Sequence, residues 1–179
     1  MDFRTAIAQA NEMLGNHEPA ALTVEQMAPF LQSEEAARGF FVAYLTGEFS
    51  ATQTPDALLQ ALRGDARIAH CVLVRNLVMS AATEAAHRRS GDEEKAWGSA
   101  AVVEKTGNLI VAADDSALWA LLSDMRKTLL SESDVFAEFL NRMNYSDDEK
   151  LAALTEVNNV LTLRKSRNVE ILDLADPID

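Results

Sequence analysis

Glu84-Ala85-Ala86-His87 sets a carboxylate and an imidazole three residues apart. On a helix that spacing brings both groups within reach of one ligand. Di-iron and di-manganese bundles use Glu-x-x-His twice, together with two further inward carboxylates. This chain holds one copy. Its other histidines, His17 and His70, follow no Glu at that interval. A complete set would need Glu93, Glu94 or Glu104, or a second chain. The plainer reading is a solvated or capping pair, because His87, Arg88 and Arg89 end a helix where positive charge complements the dipole. No cofactor or metal is expected, and Glu84 and His87 are the first candidates if a metal binds.

The motif sits on a wider pattern. Ala66 to Arg89 reads as one long helix, apolar around most of its circumference. Asn76, Ser80, Thr83, Glu84 and His87 recur at helical intervals and form its single polar stripe. A helix apolar on nearly all sides is usually buried. The stripe is therefore the wet face of a partly exposed helix, an internally bonded seam, or the lining of a ligand pocket. Its five residues are the candidate ligand-binding set. Glu84 and His87 have the chemistry for acid–base work, but nothing in the chain supplies a substrate.

His70-Cys71 is a weak nucleophile pair. Neighbours on a helix point about 100° apart, so the imidazole does not face the thiol. Cys71 falls opposite the stripe, with Val74, Val78 and Ala82, and is expected to be a buried structural cysteine. The glycines form neither GxGxxG nor GxxxxGK, and there is no GxSxG elbow.

Composition narrows the class. At 179 residues the chain is long enough for one well-packed domain and short for two. It is 48% hydrophobic and 25% charged, an ordinary globular balance. Aromatic residues are 6%, which predicts a core of mainly Leu, Val and Ala. A net charge of −12 disfavours nucleic acid and anionic membranes as partners. Arg88-Arg89 and Arg164-Lys165-Ser166-Arg167 are short and lack interleaved aromatics. One cysteine excludes an intrachain disulfide, and no leader or membrane span is evident. A cytoplasmic setting is expected.

The elements that must position these residues are all helical. Phe3, Ile7, Ala10 and Leu14 share one face, with Gly15-Asn16 as a stop. Thr23 to Gln26 fits a capping box, and Pro29 limits that helix to a turn or two. Ser33 caps a helix with Phe40, Phe41 and Tyr44 inward, closed by Thr46-Gly47. Ser50 to Gln53 reads as a loop. Thr54-Pro55 predicts a helix entry with Pro at its first position. Ser90-Gly91-Asp92 predicts a reversal into a returning helix from Glu93 to Ala113. Gly98 and Gly107 weaken that helix or permit a close crossing. Asp115 or Ser116, Ser133 and Ser146 start three more, the last with a capping box to Glu149. No segment alternates long enough for a strand.

The expectation is an all-α, single compact helical bundle of about seven or eight helices with a long central hairpin. Residues 1–167 form the domain, and 168–179 an acidic-apolar tail suited to docking on a groove, on its own domain or on a second subunit. The function expected is a non-catalytic protein-interaction or self-association domain, binding a protein partner or itself. The alternative is a metal- or small-ligand-binding bundle using Glu84 and His87.

Overall fold

The computed structural model describes all residues except 17, 48–53 and 176–179, and gives no side-chain environment for 165 and 167–175. The expected loop over Ser50 to Gln53, and His17, lie outside the described residues. Nine α-helices are present among the described residues: α1 Phe3–Asn16, α2 Val24–Leu31, α3 Glu34–Thr46, α4 Asp56–Leu62, α5 Arg67–Ser90, α6 Glu93–Ala113, α7 Ser116–Leu129, α8 Ala137–Met143 and α9 Asp147–Ala175. A 3-10 turn, Pro19–Ala21, precedes α2. The nine α-helices of the described residues correspond to the nine helical elements named one by one from the sequence, one more than the upper end of the expected total. No described segment is a strand, and no described helix is long and apolar enough to cross a membrane.

Helix ends follow local chemistry. Thr23 and Gln26 bond reciprocally, Thr23 N donating to Gln26 Oε1 at 2.8 Å and Gln26 N to Thr23 Oγ1 at 3.4 Å. Ser33, Asp92 and Asp115 accept from the first-turn amides of α3, α6 and α7. Gly91 takes φ 77°, and its N–H and that of Asp92 donate to Arg88 O and His87 O. That pair of bonds is a Schellman closure, which favours glycine at the left-handed position. It turns α5 back into α6, the expected central hairpin.

Four boundaries differ from expectation. α1 runs through Gly15 to Asn16. Pro55 is the cap of α4 rather than its first helical residue. Ser133 Oγ accepts from Val135 N, but α8 begins only at Ala137. α9 continues without a break to Ala175, so the acidic-apolar segment starts as the end of that helix.

α5 is the axis of the bundle, packed by α6, α9, α7 and α3. The core contains the expected Leu, Val and Ala, plus an aromatic cluster. Phe40 stacks on Tyr44 with ring centres 5.8 Å apart, and meets Phe30 at 5.2 Å and Phe41 at 5.3 Å. Such pairs add to the burial of each ring. Long cations finish the helix ends. Arg63 donates to Ala113 O at 2.8 Å and Ala112 O at 3.0 Å, and Lys105 to Leu45 O and Gly47 O, both at 3.2 Å. Each supplies a donor to carbonyls that lack one at a helix C-terminus.

The C-terminus of α5 is tied to the start of α9. Arg89 donates to Glu149 Oε1 at 2.5 Å and to Ser146 Oγ at 3.2 Å. The Arg89 guanidinium first, and then the Ser146 amide, hold the Glu149 carboxyl below its ordinary value of 4.5. A lowered folded-state pKa stabilises the fold above the ordinary value, and that contribution is lost as pH falls through the lowered one. Glu149→Gln is expected to lower stability at neutral pH by no more than about 1 kcal/mol, because solvent screens the pair. The difference should vanish in melts recorded well below pH 4.5. A constant difference at every pH would assign the loss to packing instead.

Candidate functional site

The polar stripe of α5 divides in two. Asn76, Ser80 and His87 are half-buried and Thr83 is exposed. All four line one groove of about 560 Å³ between α5 and α6, closed at one end by Leu45 and Thr46 of α3. Met79 and Val102 give it an apolar floor, and Lys95, Gly98, Ser99, Ala101 and Lys105 form its α6 side. The side chains of Asn76, Ser80, Thr83 and His87 make no hydrogen bond to another described residue, so their donors and acceptors are open to the groove, while Lys95 is held by Asp92 and Lys105 by Leu45 O and Gly47 O.

Glu84 lies elsewhere. It faces the junction of α5, α6 and α9, beside Val103, Gly107 and Glu156. Arg88 donates to its Oε1 from Nε at 3.0 Å and from Nη2 at 2.8 Å, and reaches Glu93 at 3.3 Å. Positions three apart on a helix differ by about 60° around its axis, and α6 packs against α5 within that interval. Glu84 therefore emerges on the α9 side of α6 and His87 on the α3 side. Among the described residues no three His, Cys, Asp or Glu come together as a ligand set. Glu94 and Glu104 are exposed on α6, and Glu93 is engaged by Arg88.

Gly107 is the close crossing of the hairpin's outer side. A Cβ there would stand 3.1 Å from Val160 Cγ2, so α6 and α9 approach closely enough that the valine would have to give by a few tenths of an ångström. Gly98 has nothing within 4 Å of such an atom. The fold of a single chain gives Gly98 no packing reason.

His70 and Cys71 separate as their helical angle requires. His70 is buried, and its Nε2 donates to Leu62 O at 2.7 Å. Its Nδ1 has no hydrogen-bond partner and faces Asp115 Oδ1 at 3.8 Å. The imidazole thus joins the end of α4 to the start of α7, a structural role. Cys71 is only half-buried, which corrects the expectation of full burial. It lies at the edge of the face it was assigned to.

Two features were not foreseen. Trp97 is 68% exposed on the outer face of α6. No expectation attaches to Trp97 in the sequence, and only its place next to Ala96, which is buried, signals that it points outward. The second is a cleft of about 330 Å³ between α3 and α5, walled by Phe3 and α8. It gathers Arg38, Arg75 and Arg142 from three helices far apart in sequence. No spacing rule links those three positions, and Arg75 alone reads as an interruption of an apolar run. Asn76 lines both the cleft and the groove.

Comparison with curated proteins and with solved structures gives no match. One family model, described as "Uncharacterised conserved protein UCP020893", matches residues 2–160. That span covers every helix from α1 into α9, and the chain belongs to this family.

Proposed function

We propose that the chain is a helical interaction domain that pairs with a second copy of itself through the outer face of α6. The observation that carries this is Trp97, 68% exposed beside the open notch at Gly98 and Ala101. An exposed indole is a common anchor of a protein interface, where it fills a pocket on the partner. The α5–α6 groove is such a pocket: apolar at Met79 and Val102, with open polar groups at Asn76, Ser80 and Thr83 for the indole N–H. Knob and hole lie on the same surface, which is the condition for a two-fold, self-complementary contact. Glycine in a helix interior costs about 1 kcal/mol relative to Ala. A second chain's indole over position 98 supplies the reason for Gly98 that the single fold lacks.

The test is sedimentation equilibrium of the purified chain. The expected mass is twice that of one chain, and added salt should tighten the pair because each copy carries −12. Trp97→Ala empties the knob and Gly98→Leu fills the hole. Both should give monomers that keep their helical content. A monomeric wild type at every concentration, or a dimer untouched by either variant, defeats the reading.

A further inference from the structure

We propose that the cleft between α3 and α5 is a binding site for a small organic carboxylate with an apolar body. It adjoins the α5–α6 groove at Asn76 and Met79, but the reading does not depend on the Trp97 contact. The chain has 16 basic residues against 28 acidic ones. Three of the basic ones, Arg38, Arg75 and Arg142, line this single cleft with one carboxylate, Glu34. Local charge is thus positive in a protein of net charge −12.

The arginines are incompletely used. Arg75 gives Nη1 to Glu34 Oε1 at 3.0 Å, and its Nε is buried without a partner. Arg38 lies over the Phe3 ring at 5.4 Å and Arg75 over the Phe139 ring at 5.6 Å. Neither stacking contact uses the N–H donors at the guanidinium edge. Arg142 makes no ion pair or hydrogen bond with another described residue. A planar fork of donors matches a carboxylate in bidentate geometry. Apart from Asn76 the remaining lining is apolar, chiefly Phe41, Val72, Met79 and Met143. A volume of about 330 Å³ falls within the range of small-molecule sites. The charged rim fixes the head of the ligand, and the aromatic and thioether walls take its tail.

Isothermal calorimetry with octanoate, octanol and inorganic phosphate tests this on the whole chain. Octanoate is expected to bind at least roughly tenfold more tightly than octanol, which keeps the tail and loses the charge. It should also outbind phosphate, which keeps the charge and loses the tail. Arg75→Met should abolish octanoate binding. Arg142→Gln, at an exposed position outside the core, should weaken it by roughly tenfold without altering the melt. Octanol or phosphate binding as well as octanoate overturns the proposal. So does octanoate binding that Arg142→Gln leaves unchanged, or its absence up to millimolar concentration.

Discussion

Gly39→Ala should cost this protein more stability than its size suggests. A Cβ at position 39 would stand 2.5 Å from Ala6 Cβ and 2.6 Å from Phe3 O. Those atoms belong to α1, and one is backbone, so no rotamer change relieves the contact. α1 must move away from α3 and open the small-residue seam formed by Ala6, Ala10, Ala36 and Gly39, all of them buried. Overpacking of this kind costs about 1–3 kcal/mol and occasionally more. It acts against an intrinsic helix gain of up to about 1 kcal/mol for replacing glycine by alanine. A net loss of about 2 kcal/mol lowers the melting temperature by about 4–8 °C in a chain of this length. Gly98→Ala makes the same chemical change where nothing lies within 4 Å, so its sign should reverse. Paired melting curves of the two variants check this. Equal shifts would mean that propensity, not the α1–α3 approach, governs position 39.

These two glycines also show how much of the fold is legible in the sequence. Gly98 and Gly107 stood out because each interrupts a helical pattern, and one of them does mark a close crossing. Gly39 did not, because Arg38-Gly39-Phe40-Phe41 sits inside a strongly apolar helix whose pattern hides it. Capping residues were legible because their bonds are local. Thr23, Ser33, Asp92, Asp115 and Ser146 each act within three residues of their own position. Where the outcome depended on tertiary contact, local pattern was silent.

The candidate site divides along the same line. The helical interval that grouped Asn76, Ser80, Thr83, Glu84 and His87 is a property of α5 alone. Which of them share a space is decided by α6, and α6 settles on the line between Glu84 and His87. The arginine cleft is the reverse case. Its residues come from α3, α5 and α8, and no one-dimensional spacing could have joined them. The charge balance of the chain hid it further, since a net −12 directs attention away from a positive site.

Phe40→Ala is expected to have the largest effect of any single truncation considered. The ring is fully buried and touches three other aromatic rings, those of Phe30, Phe41 and Tyr44. Removing it loses the transfer energy of the ring and leaves a cavity, together about 3–5 kcal/mol. Its neighbours are held by α2 and α3 and cannot collapse freely, which favours the upper part of that range. Because total stability of a domain is only about 5–15 kcal/mol, the variant should lose a large fraction of it. Urea titration followed by circular dichroism measures this directly. The comparison with Trp97 gives the result its meaning. Trp97→Ala removes a larger ring, yet its 68% exposure means little transfer energy is lost within one chain. Its melt should stay near wild type when measured on the monomer. A large loss at position 97 and a small one at 40 would reverse the division between core and surface aromatics, and the docking role of α6 would fall with it.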